Sequence, residues 1–163
     1  MAEHENTIGE SDEWYTPPDL FDSIGAVFDL DPCSPSKSHW VPAKRVFTKE
    51  DDGLHQDWGN DYVFMNPPFG GRNGHLVWLD KFLRHNNGIA IVRAYTSAGW
   101  FHKHAIKADA FLFPKGKTKF VRPDGSVGKQ PGHGIVLIAM GKRAVTDLRN
   151  ASNGWFVDNK GGS

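Results

Sequence analysis

The chain of 163 residues lacks several features around which proteins are often built. Cys33 is the only cysteine, which excludes an internal disulfide and any multi-cysteine zinc site. The eight histidines show no metal-ligand spacing: His102 and His104 stand two apart and no His-Glu-x-x-His pattern occurs, so no metal is expected. No run approaches the roughly 18 uninterrupted apolar residues that a membrane-spanning helix requires. The opening segment MAEHENTIGE is acidic and polar, unlike a secretory or transit peptide. With 39% apolar residues, enough to fill one core, a cytoplasmic single-domain globular protein is expected.

Net charge is also absent, but the zero conceals a division. Residues 1–61 carry 14 acidic and 4 basic side chains, and residues 62–163 carry 5 acidic and 15 basic ones. The basic half points to a polyanionic partner.

The pattern of apolar residues divides the chain into alternating elements. Residues 1–11 are polar and aperiodic and read as a flexible leader; residues 12–158 form the domain, and 159–163 a disordered tail. Pro17 and Pro18 suit the first turn of a short helix with apolar residues at 20, 21 and 24. Val27–Leu30 reads as a strand ended by Asp31-Pro32, and residues 33–45, rich in proline and serine, as a loop. Val46–Thr48 suits a brief strand before the acidic turn Glu50-Asp51-Asp52-Gly53. Tyr62–Met65 is a continuous apolar run of the kind buried on both faces of a sheet, stopped by Asn66-Pro67-Pro68. The spacing predicts a helix over 75–85, with Gly88 as a left-handed cap, and strands at 89–92, 110–113 and 134–140. A helix is expected over 98–107, a polar loop or hairpin over 115–131, and a further strand at 154–157. Strands alternating with helices predict an α/β domain with a mostly parallel sheet flanked by helices.

Ligands of such sheets bind where strands end, which singles out Asp31-Pro32-Cys33-Ser34 and Asn66-Pro67-Pro68-Phe69. Two consecutive prolines fix the second loop and remove two amide donors, so its carbonyls stand as acceptors. An exocyclic amine can donate one hydrogen to the Asn66 side chain and the other to the Pro67 carbonyl, while its ring stacks on Phe69. Accepting both hydrogens draws charge off the nitrogen as it attacks an electrophile. Between residues 100 and 129, Lys103, Lys115, Lys117, Lys119 and Arg122 are interleaved with Trp100, Phe101 and Phe120. That mixture, joined by Arg72 from the Gly-rich segment after Phe69, suits phosphate contacts with stacking surfaces nearby.

Glu13-Trp14-Tyr15-Thr16-Pro17-Pro18, Leu30-Asp31-Pro32-Cys33, Asp51-Asp52-Gly53-Leu54 and Asn66-Pro67-Pro68-Phe69 occur in this order. The ordered set resembles the phage and prophage DNA N-6-adenine methyltransferases, the small Dam-like family, over about residues 10–142. The resemblance implies a Rossmann-like methyltransferase fold, S-adenosylmethionine as cofactor, double-stranded DNA as partner, and transfer of a methyl group to the N6 amine of a flipped adenine. It also implies roles. Asn66, Pro67, Pro68 and Phe69 would be catalytic. The cofactor would be held by Trp14, Tyr15, Thr16 and Pro17, by Asp31, Pro32 and Cys33, by Asp51 and Asp52 at the nucleoside, and by Asn66. Thr16 would offer its hydroxyl to the cofactor carboxylate, and Asp31 would face its ammonium group. The glycines usual in the first loop are replaced by Ser34-Pro35-Ser36. RNA-base and protein-glutamine methyltransferases use the same Asn-Pro-Pro-(Tyr/Phe) loop, and a non-catalytic nucleic-acid-binding module also fits the missing glycines.

Overall fold

The computed structural model describes residues 15–37, 39–68, 74–116, 118–122, 126 and 134–160. The expected leader, Trp14, Phe69, Arg72, Lys117 and the last three residues lie outside them.

Helix α1 (Pro18–Ile24) starts on a proline, where the missing amide costs no hydrogen bond. It stops at Gly25, whose φ of 71° places it in the left-handed region. Strands β1 (Phe28–Asp31) and β2 (Ala43–Val46) follow, then 3-10 turns at Lys49–Asp51 and Gly53–His55, and β3 (Val63–Met65). Next come α2 (Gly74–His85), β4 (Gly88–Arg93), α3 (Gly99–Lys103), a 3-10 turn at Ala105–Lys107, and β5 (Ala110–Phe113). Strand β6 (Ile135–Met140), α4 (Lys142–Arg149) and β7 (Trp155–Asp158) complete the described elements.

The seven strands form one sheet in the order β2-β1-β3-β4-β6-β5-β7. Strands β1 to β4 pair in parallel. The other three pairings, β4–β6, β6–β5 and β5–β7, are antiparallel. The sheet is therefore mixed, which corrects the expectation of a mostly parallel one. No helix occurs among the described residues between β5 and β6, and the two strands pair side by side as antiparallel neighbours.

Alternation along the buried strands splits the core between the two faces. Ile89 and Ile91 of β4 meet Leu137 and Ala139 of β6 beneath α1 and α4, with Leu20, Phe21, Phe28, Phe64, Ala144 and Leu148. Ala90, Val92, Val136 and Ile138 point the other way, against Leu79 and Phe82 of α2 and Phe101 and Ala105 of the β4–β5 connection. Each large side chain buried in this way contributes about 1.5–3 kcal/mol. Two helical layers thus enclose the sheet.

Several local expectations change. Strand β2 begins at Ala43, inside the segment expected to be loop, with Lys44 and Arg45 exposed and Val46 buried. Charged residues are tolerated because β2 is an edge strand. The helix expected over 98–107 breaks at His104 into α3 and a 3-10 turn. Gly88 is not the left-handed cap; Asn86 takes that conformation with φ 59°. Gly88 opens β4, where a Cβ would lie 2.3 Å from the Val63 carbonyl oxygen.

From β1 the chain first adds β2 on one side, then β3 and β4 on the other. The strand order therefore reverses between β1 and β3, the position at whose carboxyl ends open α/β sheets bind ligands. Asp31 ends β1 and Asn66 follows β3.

Candidate active site

Strand β1 runs Phe28-Asp29-Leu30-Asp31 and is halted by Pro32. Asp31 is 3% exposed, and its Oδ1 accepts the Cys33 amide hydrogen at 3.1 Å. Burial pushes its carboxyl up to about 7, and the Cys33 amide only partly offsets this. The carboxyl is thus a buried acidic group held by one amide donor at the strand end. Burial, reinforced by the Asp31 carboxylate, raises the Cys33 thiol well above its usual range. A reactive thiolate is therefore disfavoured, and Cys33 acts through its hydrogen bond. The Ser34-Pro35-Ser36 segment closes on itself, the Ser34 hydroxyl donating to the Ser36 carbonyl at 2.8 Å.

The acidic turn packs directly on this strand end. A Cβ on Gly53 would lie 1.9 Å from the Pro32 carbonyl oxygen, so only glycine permits the approach. The Trp58 indole N–H donates to the Gly53 carbonyl at 2.9 Å and fixes the turn from behind. Asp51 Oδ2 accepts from Lys37 Nζ at 2.5 Å and from the Thr48 amide at 2.8 Å. The Lys37 ammonium, then the Thr48 amide, hold the Asp51 carboxyl down at about 2. Asp52 takes a left-handed conformation with φ 54°, and its carboxylate meets His55 Nδ1 at 2.8 Å. Much of the acidic turn is therefore spent on its own architecture.

Asn66 joins the remaining segments. Its Nδ2 donates to Thr16 Oγ1 at 3.1 Å, and its backbone carbonyl accepts from Cys33 Sγ at 3.3 Å. The Thr16 carbonyl accepts the Trp40 indole N–H at 2.8 Å. Tyr15 stacks at a tilt on Trp40, centroids 4.8 Å apart, and its hydroxyl bonds to Ser36. Tyr15 also exchanges two backbone hydrogen bonds with Val121. Four segments that are distant in sequence thus converge, and they are the four whose order carried the resemblance.

Tyr15, Thr16, Asp31, Cys33 and Asn66 accordingly form one connected group, with Pro17, Pro32, Pro67 and Pro68 shaping its loops. Asp51 and Asp52 border it through Gly53. Lys115, Lys119 and Arg122 are exposed on the 114–134 connection, at the end of the sheet where β1 and β3 terminate. Lys103 departs from that group, lying on the return from β4 towards the opposite end, where β5 starts. Trp40 and Lys37 were not singled out from the sequence. A tryptophan in a proline- and serine-rich loop is a signal that could have found the first. No group of three or more metal-ligating side chains occurs among the described residues, and none of their helices is long and apolar enough to cross a membrane.

The model of one protein family, DNA N-6-adenine-methyltransferase (Dam), matches residues 4–153. No curated protein and no solved structure matches the chain. The match takes in all four converging segments, and the chain belongs to the DNA N-6-adenine-methyltransferase (Dam) family.

Proposed function

We propose that the protein transfers a methyl group from S-adenosylmethionine to the N6 amine of an adenine flipped out of duplex DNA, at a short or loosely defined site. The Asn66–Thr16 hydrogen bond carries this reading. It commits the amide nitrogen of Asn66 to Thr16, so the side chain offers its carbonyl oxygen, an acceptor, at the end of β3. The family supplies the general activity; the donor, the site residues and the Rossmann-like methyltransferase fold belong to the proposal. The reversal of strand order between Asp31 and Asn66 supports the fold.

The residues present fit the cofactor. Asp31 is a buried carboxyl raised to about 7 with one amide partner, and an ammonium group would complete it. Thr16 accepts from Asn66 and keeps its own hydrogen to donate to a carboxylate. Hydroxyl and amine donors of the nucleoside are matched by the acidic turn that Gly53 seats against Pro32. When bound, S-adenosylmethionine supplies an electrophilic methyl group.

The chain's own residues then hold the amine in line. An adenine amine inside a base pair is out of reach, so the base is extruded into the loop that begins at Asn66. Asn66 Oδ1 and the Pro67 carbonyl accept its two hydrogens, and Phe69 stacks on the ring. Both acceptors strengthen as positive charge develops on the nitrogen, which makes their contribution specific to the transition state. The methylated amine is acidic enough to release its proton to water, and no dedicated base is required. Alignment of nitrogen and methyl group does the rest.

Calorimetric titration with S-adenosylmethionine tests the donor. The parent protein binds one equivalent, and Asp31→Asn binds at least tenfold more weakly, in keeping with the loss of a charge-assisted hydrogen bond worth about 1.5–3 kcal/mol. No binding by the folded parent would overturn the proposal.

A further inference from the structure

Trp155 is 69% exposed, the most exposed large apolar side chain among the described residues. It opens β7, the edge strand beyond β5. Its ring lies 5.5 Å from that of Phe113, and Phe113 lies 6.1 Å from Phe111, so the three aromatic side chains form a row on one face. Phe111 is buried and Phe113 packs against the core, which gives Trp155 a fixed base. Gly154 permits the approach: it holds φ 117°, and a Cβ there would lie 2.7 Å from the Phe113 carbonyl oxygen. An exposed indole held in this way offers a large apolar surface to a partner.

The strand registers set where this surface stands. Met65 faces Ala90, so Asn66, one residue on, is level with Ile91. Ile91 faces Leu137, Leu137 faces Leu112, and Phe113, one residue beyond Leu112, faces Trp155. Trp155 therefore stands one residue beyond the level of Asn66, at the same end of the sheet. From β3 to β7 the order runs through β4, β6 and β5, four strand spacings or roughly 19 Å. The basic connection marks the path between the two points. It leaves β5 at Pro114, whose Cα would lie 3.1 Å from a Gly154 Cβ. By Val121 it exchanges two backbone hydrogen bonds with Tyr15, next to Thr16 and the Asn66 amide. Lys115, Lys119 and Arg122 are exposed along it. A second copy docked on this face would set like charges together, whereas duplex DNA brings the opposite charge.

We infer that Trp155 is an apolar contact to the sugars of duplex DNA, about five or six base pairs from the flipped adenine, with the duplex running along the strand order from the target loop to β7. The inference rests on the proposed function, which places the adenine at Asn66. The connection holds phosphates between the two points, and the indole covers sugar edges at the far one. Such a contact sets how the duplex lies and reads no base.

The test uses the full chain and fluorescent duplexes with a single adenine, flanked by about ten base pairs on each side or shortened to about three on either side. Trp155→Ala binds the long duplex about tenfold more weakly, with the parent slope of log affinity against log salt, because no charge is removed. That defect disappears on the duplex shortened on one side, where the parent has lost the same contact. Trp155→Phe keeps most of the affinity, and both variants keep the parent affinity for S-adenosylmethionine. The emission difference between the parent and Trp155→Phe isolates Trp155; it is quenched by the long duplex and not by that shortened one. This reading needs only the conservative variant. Equal affinity of parent and Trp155→Ala for the long duplex, or a defect that persists on both shortened duplexes, would overturn the contact. So would a concentration-dependent dimer of the parent that Trp155→Ala abolishes, which assigns the surface to a second copy. Methyl transfer to DNA without this length dependence sinks the contact and leaves the functional reading standing. Neither DNA binding nor transfer by the parent overturns the functional reading, and the contact with it.

Discussion

Thr16 holds the side chain of Asn66 and is itself held by Trp40, so the orientation of the Asn66 amide after β3 is set by the residues that lead into α1. Asn66→Ala removes the acceptor and is expected to lower the single-turnover methylation rate by about 10²–10³, with little effect on the melting temperature. Thr16→Ser keeps the hydroxyl and most of the rate, whereas Thr16→Val frees the Asn66 amide and lowers the rate at saturating cofactor. Equal rates for the Ser and Val variants would contradict the role of Thr16. Asp31 sets the pH dependence. Its folded carboxyl titrates near 7 rather than 3.8, so the unliganded protein keeps a proton that the unfolded chain releases. Asp31 therefore costs stability as pH rises from about 4 to 7 and changes nothing further above that. Asp51 and Asp29, both lowered, act in the opposite sense and lose their contribution only as pH falls below about 4. An ammonium ligand requires the ionised carboxylate. Cofactor affinity should thus climb between pH 5 and 7, approaching tenfold per unit, and level off near 7. Asp31→Asn should abolish that climb in a calorimetric pH series.

At the scale of elements, the acidic turn and the β1 end behave as one unit because Gly53 lets them touch. Gly53→Ala drives a methyl group against the Pro32 carbonyl, which is backbone and cannot swing aside. A cost of about 1–3 kcal/mol or more is expected, with weakened cofactor binding. Gly99→Ala is the control, since a Cβ there meets nothing within 4 Å. Thermal melts that shift equally for both variants would contradict this account. The sequence made α1, β1, β3 and α2 legible because each combines a clear apolar pattern with a proline, glycine or asparagine stop, and β4 because its apolar run opens at Gly88. The four converging segments were legible for the same reason, since they lie at those stops. Helix α4 was missed because only Ala144 and Leu148 of its eight residues are buried. The direction of β6 was missed because it depends on what the 114–134 connection does, and polar composition is silent on that. The pairs Trp40–Thr16 and Gly53–Pro32 meet only through the tertiary fold, for which no local pattern exists.

Over the whole molecule, the opposed charges of the two halves acquire a direction. The acidic half supplies Asp31 and the acidic turn, and the basic half supplies the connection that projects Lys115, Lys119 and Arg122 from the same end of the sheet. Phosphate contacts made from that connection would carry no direct sequence information. Lys115→Gln/Lys119→Gln should weaken binding to every duplex alike and lower the salt slope by up to about 0.9 for each phosphate left without its lysine. Specificity should stay as in the parent, and a variant with unchanged slope and affinity would show that these lysines only solubilise the connection. The most direct test of the central claim is transfer of a labelled methyl group from S-adenosylmethionine to duplex DNA, followed by nucleoside analysis. Label is expected in N6-methyladenine alone, none on a duplex whose adenines already carry that methyl group, and at least a hundredfold less with Asn66→Ala. Label in cytosine, in RNA or protein but not DNA, or equal transfer by the Asn66→Ala protein would contradict the claim.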